Sequence, residues 1–253
     1  MTALLMLCYK LWIENRMRFF VVLAITLCSC LLYVFFEGQL HPELLKQRPG
    51  AVTYSQFVYW RIYSAIPRVL FQVSCIVLAL GGVQRERRQG TIAFSLALPV
   101  PRSWHELTRA GVGLAEVALA PFTALGLTWV VSLLRGADLD AGTMLIVACL
   151  WAVGGMATFA MAFLCSAIVP GEYTALAVAQ AAYLFELTAA RLPSLRAYPL
   201  HVTDLMNGKI GGVIDTQTLV WTGHLPVGVL LAYAATTAIL IGSATLISRR
   251  MEV

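Results

Sequence analysis

The chain has 253 residues, of which 59% are hydrophobic and only 12% are charged. Soluble domains carry about 25% charged residues, so this composition excludes a soluble globular fold. The formal net charge is +5, but the basic residues are not interleaved with aromatic ones as on nucleic-acid-binding surfaces. We therefore expect a membrane protein that binds the lipid bilayer and no nucleic acid.

Long apolar runs predict an all-α polytopic fold with about six transmembrane helices. The predicted spans cover residues 19–36, 58–83, 110–134, 142–169, 173–190 and 226–248. Each run is long enough to cross about 30 Å of hydrocarbon as a helix that rises 1.5 Å per residue. We expect residues 1–253 to form a single transmembrane domain.

The segment that precedes the first span is apolar but is interrupted by Lys10, Glu14 and Arg16. Its apolar residues recur at helical spacing, which predicts an amphipathic helix over residues 1–17 that lies at the membrane interface. The alternative is that these residues are simply the start of a long first span.

The distribution of Lys and Arg predicts the orientation of the chain. With the N-terminus inside, the inner segments hold ten basic residues and the outer segments hold six. The positive-inside rule then places both termini in the cytoplasm of a plasma (inner) membrane protein. The outer connection 191–225 is long and rich in Pro and Gly, so we expect it to carry short helices or to dip into the membrane.

Charged side chains within spans are expensive in lipid and are usually paired or functional. The predicted spans contain four of them: Arg61, Arg68, Glu116 and Glu186. Glu116 could pair with Arg109, and Glu186 could pair with Arg191 or extend outward. Structural roles and roles in a transport path both remain open, whereas Gly154 and Gly155 are expected to allow close helix packing.

Motifs for catalysis, metal binding and nucleotide binding are absent from the sequence. No phosphate-binding loop of the form G-x-x-x-x-G-K-[ST] is present, and no hydrolase or metalloprotease pattern occurs. The six cysteines and four histidines lack the spacing of a disulfide framework or a zinc site. We therefore predict no catalytic, cofactor or metal site and no enzymatic activity.

The connection after the second span, residues 84–103, is the most informative stretch. A basic cluster that contains Glu86 is followed by Gly90 and Thr91, and then by the short apolar run 92–98. Prolines 99 and 101 end that run, because a proline disfavours helix at the residue before it. This pattern predicts a short amphipathic element at the membrane surface that faces a cytoplasmic partner.

This stretch resembles the signature of type-two ABC transporter permeases. That signature has a Glu four residues before Gly-Thr, an apolar helix, and then Leu-Pro-Val-Ser-Arg. The matching residues here are Glu86, Gly90, Thr91, Leu98, Pro99 and Arg102. The chain departs from the pattern at Pro101, where Ser is common, and at Arg109, where the family often has Lys.

The resemblance implies a transport subunit that works with other chains. In that family the connection after the second span is a coupling helix that docks on a separate ATPase subunit, which binds the ATP. The permease pairs with a second copy or with a homologous permease. By resemblance, residues 84–103 would be the coupling element of an exporter.

Two other classes of protein remain as alternatives. An intramembrane enzyme would need paired polar catalytic groups at similar depth, and the sequence offers only the isolated Glu116 and Glu186. A multispan membrane protein outside the ABC class is also possible, but a secondary transporter would show an internal repeat with matching broken spans. The two halves of this chain show no such symmetry.

Overall fold

The structure is a computed structural model that describes residues 2–40, 42, 53–80, 102–189, 192, 201–215 and 218–250. These ranges fold as helices: α1 (Thr2–Phe35), α2 (Tyr54–Val58) with a π-helical continuation (Tyr59–Tyr63), α3 (Ile66–Ala79), α4 (Arg102–Leu134), α5 (Ala141–Ile168), α6 (Glu172–Ala189), α7 (Val202–Met206) and α8 (Val227–Arg250). They contain no β-strand beyond one isolated bridge between Ile214 and Trp221. The predicted all-α fold is confirmed.

Five helical stretches in the described ranges are long and apolar enough to cross a membrane. They are Leu5–Phe35, Tyr54–Ala79, Trp104–Leu134, Ala141–Ile168 and Val227–Ser248. This is the architecture of an integral membrane protein. The predicted count of six is not confirmed, because α6 has only 18 residues and carries Glu172, Gln180 and Glu186.

Helix α1 runs without a break through the segment predicted as an interfacial helix. Its 34 residues extend about 51 Å at 1.5 Å per residue, well beyond the hydrocarbon thickness. Many of its large apolar side chains are exposed, including Met6, Met17 and Phe20, as expected for a surface that meets lipid. A separate interfacial helix is therefore not confirmed, and a long first helix describes the structure better.

The second predicted span starts earlier than expected and is broken near its middle. Thr53 caps α2 in a reciprocal pair of hydrogen bonds with Gln56. The Ser64 N–H donates to the Tyr59 carbonyl at 2.9 Å, the five-residue spacing of a π-helix. Helix α3 then restarts with Pro67 in its first turn, where the missing N–H of proline is tolerated.

Helix α5 is the centre of the bundle and packs against α3, α4, α6, α7 and α8. Its Trp151 is fully buried and stacks on Phe71 of α3 with ring centroids 5.5 Å apart. A side chain at Gly155 would come within 2.8 Å of the Phe71 ring. The predicted role of Gly155 in close helix packing is therefore confirmed.

The connection before α8 descends into the bundle beside α5. At one end, the Trp221 N–H donates to the Thr143 hydroxyl at 3.0 Å. At the other end, a Cβ on Gly154 would lie 2.9 Å from Sδ of Met206. Thr143 and Gly154 are about 16 Å apart along α5, given a rise of 1.5 Å per residue. We call residues 201–215 and 218–222 the re-entrant segment, and its short helix α7 confirms the prediction of helices in this connection.

Asp140 fixes the first turn of α5, beside Trp221 at the outer end of the re-entrant segment. Its carboxylate accepts hydrogen bonds from the N–H and the hydroxyl of Thr143, both at 2.6 Å. These bonds favour the charged form, so they hold the pKa of the Asp140 carboxyl below its usual value. The same Thr143 hydroxyl accepts the Trp221 N–H, so one cap anchors both α5 and the re-entrant segment.

Two arginines mark opposite ends of the bundle. Arg18 donates to the Leu80 carbonyl and, at 2.9 Å, to the Glu172 carboxylate, which joins α1 to the end of α3 and the start of α6. Arg135 donates to the Val34 carbonyl at the far end of α1. The end that contains Arg18 is therefore the end from which the connection between α3 and α4 departs.

Candidate functional site

Arg68 is the buried charge that ties α3 to the re-entrant segment. Only 4% of the residue is exposed. Its Nη1 donates to the Thr203 carbonyl at 3.0 Å and to the Asn207 side-chain oxygen at 3.1 Å. The Tyr59 hydroxyl donates to the Asn207 carbonyl at 2.9 Å. Both halves of the broken second span therefore hold α7 in place.

Glu186 of α6 approaches α7 from the other side. Its carboxylate accepts hydrogen bonds from the Thr203 N–H at 3.3 Å and the Thr203 hydroxyl at 3.2 Å. His201 Nδ1 lies 3.9 Å from the same carboxylate. Thr203 therefore connects a buried cation to a carboxylate, and the predicted outward extension of Glu186 is wrong. Pairing with Arg191 falls outside the described residues.

A second contact joins α3 and α6 one helical turn away from the two charges. The Tyr183 hydroxyl donates to the side-chain oxygen of Gln72 at 3.2 Å, and Gln72 is fully buried. We define the Arg68–Glu186 network as Arg68, Gln72, Tyr183, Glu186, Thr203 and Asn207. It brings together two of the four predicted intramembrane charges.

The sequence reasoning missed four members of this network. Gln72 follows Arg68 by four positions, and Tyr183 precedes Glu186 by three. These spacings place each pair on one helix face. Gln72 and Tyr183 could therefore have been predicted from the sequence, because each lies on the same helix face as a charge within a span. Thr203 and Asn207 carried no comparable signal, because they lie in a polar connection.

A cavity of about 310 Å³ lies beside the network, between α5, α6 and α8. Its walls are mostly apolar and come from ten residues: Ala157, Thr158, Met161, Tyr183, Glu186, Val202, Ala232, Tyr233, Thr236 and Leu240. This volume lies at the lower end of the range for small-molecule sites, about 300–1,000 Å³. Mostly apolar walls with a few polar groups are typical of such sites.

Glu116 has a different environment, in the middle of α4. The residue is 1% exposed, and neither carboxylate oxygen accepts a hydrogen bond from any described part of the chain. The predicted pairing with Arg109 is therefore wrong. The Arg109 guanidinium instead lies 6.0 Å from the centre of the Phe163 ring.

Arg61 does not join Arg68, although the two lie seven positions apart in one predicted span. The break after Tyr63 separates the π-helical segment from α3, so the two arginines belong to different helical pieces. Within the described ranges, Nε and Nη2 of Arg61 are buried and have no hydrogen-bond partner. Only Arg68 takes part in the network.

The residues that carry the family resemblance cannot be placed in the structure. Glu86, Gly90, Thr91, Leu98 and Pro99 lie outside the described residues. Arg102 is the first residue of α4, and its side chain also lies outside them. The described chain ends at residue 80 on one side of this element and resumes at residue 102 on the other.

The described residues contain no cluster of three or more side chains that could hold a metal ion. All six cysteines are free. Five of them are half-buried or buried within α1, α3 and α5, and two of these five, Cys30 and Cys75, are fully buried. They pack as small apolar groups in the helices.

Comparison of the chain with protein-family models, with curated proteins and with solved structures finds no match. The chain's own residues and their geometry therefore carry the functional interpretation. The two features that matter most for it are the sequence of residues 84–103 and the Arg68–Glu186 network with its adjoining cavity.

Proposed function

We propose that this chain is the permease subunit of an ABC transporter and that it exports a substrate while ATP is hydrolysed on a separate ATPase subunit. The observation that carries the proposal is the stretch from Glu86 to Arg102, with its Gly90-Thr91 pair and its proline-ended apolar run. The chain lacks a phosphate-binding loop, so the proposal assigns no enzymatic activity to it.

The position of that stretch supports the proposal. Arg18 joins the end of α3 to the start of α6, and the stretch departs from this same end. Arg16 and Arg18 lie at this end, and the sequence that follows Leu80 carries three more arginines between residues 85 and 88, which favours the cytoplasmic side of a plasma (inner) membrane. An ATPase that docks on this end would face a basic membrane surface.

The orientation requires an even number of crossings if both termini are cytoplasmic. We infer that α6 and the re-entrant segment together complete the sixth crossing. Helix α6 is about 27 Å long at 1.5 Å per residue, and near its end Glu186 meets α7 beside the middle of α5. Irregular backbone at that depth is tolerated because protein surrounds it.

The proposed mechanism uses α3 as the mechanical link. The C-terminal end of α3 adjoins the coupling stretch, and its first turn carries Arg68. These points are about 18 Å apart at 1.5 Å per residue. Closure of an ATPase dimer would displace the coupling stretches of two paired permeases, and α3 would transmit that displacement to the Arg68–Glu186 network as a rigid element.

Copurification with a separately encoded ATPase that has a phosphate-binding loop, sought first in the neighbouring open reading frames, tests the proposal. We expect Glu86→Ala to weaken the complex about tenfold, because it removes a charged group from a proposed interface. The matched control is Asp138→Ala, which removes an exposed carboxylate from the opposite end of the bundle and should leave the complex unchanged. A replacement of residues 84–103 by a Gly-Ser linker that left both the complex and ATP-driven transport intact would refute the assignment.

A further inference from the structure

We propose that the cavity between α5, α6 and α8 binds an amphiphile with a protonated amine head group, and that Glu186 is its counter-ion. This inference rests on the proposed function only in naming the substrate class. Binding to the cavity can be measured on this chain alone, so its failure is distinguishable from failure of the ATPase partnership.

The charge of the cavity selects the head group. Among the described residues that line it, Glu186 alone carries a charge, and Arg68 lies behind Thr203 and outside the lining. A carboxylate offers about four lone-pair sites, and Thr203 occupies two of them. The remaining sites accept hydrogen bonds, and a charged ammonium donor makes the strongest of these.

The hydroxyl groups of the cavity do not offer an anion site. Thr158 donates to the Gly154 carbonyl at 3.0 Å, and Thr236 donates to the Ala232 carbonyl at 2.8 Å. Their protons are therefore committed to their own helices. A carboxylate or phosphate head group would meet Glu186 without a compensating cation in the lining.

Tyr233 supplies a second polar group that points to a ligand. It is 6% exposed and lines the cavity, yet its hydroxyl has no hydrogen-bond partner in the described part of the chain. A buried hydroxyl without a hydrogen-bond partner destabilises the fold. An amine head group would donate a hydrogen bond to the Tyr233 hydroxyl oxygen. The ring of Tyr183 in the same wall can also attract a cation through its face.

The apolar remainder of the cavity suits a hydrocarbon tail. Met161, Val202 and Leu240 line it. Large apolar side chains next to the lining residues in sequence are exposed on the outer surface: Phe185 at 72% and Ile239 at 66%. The cavity therefore lies under a surface that meets lipid, and an amphiphile can reach it from the bilayer.

Equilibrium binding of tritiated dodecylamine to the full-length chain in maltoside micelles tests the proposal at pH 7. We expect saturable binding, and about tenfold weaker binding of dodecanol and dodecanoate, which have the same tail with a neutral or anionic head. Glu186→Gln should weaken dodecylamine binding about tenfold. Glu172→Gln on the same helix, whose partner is Arg18 at the end of the bundle, should bind like the wild type.

A second variant keeps the test decisive if Glu186→Gln fails to fold. Ala232→Phe fills the cavity from α8 without removing any side chain of the Arg68–Glu186 network, so it should also weaken binding about tenfold. Wild-type affinity in a folded Glu186→Gln or in Ala232→Phe would overturn the proposal, and so would equal binding of dodecanoate. Unchanged copurification of these variants with the ATPase would show that the proposed function stands independently.

Discussion

Glu116 in α4 and Glu186 in α6 are both carboxyl groups within the apolar bundle, but their environments are opposite. Glu186 accepts two hydrogen bonds from Thr203, and Arg68 donates to the carbonyl of the same residue. Glu116 is 1% exposed and accepts none from the described chain. The role of an intramembrane charge therefore depends on the groups packed beside it and not on its residue type.

The physical consequence of this difference concerns stability. A buried polar group without a partner destabilises the fold by about 1–3 kcal/mol, whereas a carboxylate that accepts hydrogen bonds avoids that penalty. Glu186 is therefore part of the structural framework of α3, α6 and α7. Glu116 destabilises the packing of α4. A residue that destabilises the fold is a better candidate for a functional role than Glu186, because stability does not explain its presence.

The largest expected effect is the loss of Arg68. We expect Arg68→Met to lower the free energy of unfolding by about 3–5 kcal/mol, because the Thr203 carbonyl and the Asn207 side-chain oxygen both lose a charged donor, at about 1.5–3 kcal/mol for each bond. Unfolding by SDS in mixed micelles would measure the change. Arg61→Met is the matched control in the same broken span, and it should not lower the free energy of unfolding, since two of the three Arg61 nitrogens are buried without a hydrogen-bond partner in the described chain and their removal leaves no acceptor unsatisfied.

A smaller effect of opposite sign separates the two glutamates. Glu116→Met should raise the free energy of unfolding by about 1–3 kcal/mol, because it removes an unsatisfied polar group from an apolar site. Glu186→Met should lower it by a similar amount, because the Thr203 N–H and hydroxyl lose their acceptor. Equal signs in the same mixed-micelle assay would mean that the two environments do not differ in the way we describe.

Hydropathy alone predicted the helices well wherever one apolar run forms one helix. The predicted span 142–169 corresponds to Ala141–Ile168, and the predicted span 226–248 corresponds to Val227–Ser248. The second span was harder, because its apolar run continues across the break at Ser64. That break depends on a π-helical turn and on the hydrogen bonds that the Ser64 N–H and hydroxyl donate to the Tyr59 carbonyl, which hydropathy does not detect.

The site was predictable only in part. Arg68 and Glu186 were identified because charge is rare in spans, but their link through Thr203 depends on the depth of the re-entrant segment. The composition of this connection, which is polar and contains glycine, predicts an outer loop. Its descent beside α5 follows from packing against Gly154, which is a tertiary contact between residues about 50 positions apart in the sequence.

The smallest expected effect tests that descent. A Cβ on Gly154 would overlap Cγ of Met206, and it would lie 2.9 Å from Sδ of Met206 and 3.2 Å from Cγ1 of Val202. Gly154→Ala should therefore lower the free energy of unfolding by about 1 kcal/mol, since the flexible Met206 side chain can yield. Gly111→Ala in α4 is the control, because nothing lies within 4 Å of the added carbon, and its better helix propensity should stabilise by up to about 1 kcal/mol.

The double variant Gly154→Ala/Met206→Ala assigns this effect to one contact. If α7 rests on α5 as described, removal of the Met206 side chain should relieve the overlap, and the two changes should be non-additive. Additive effects would place α7 elsewhere. Val202 lines the cavity and Thr203 holds Glu186, so a shift of α7 should also weaken dodecylamine binding. We expect Gly154→Ala to lose dodecylamine binding and Gly111→Ala to keep it. Because Gly154 contacts neither Arg68 nor Glu186, this result would show that binding to the cavity depends on the depth of the re-entrant segment.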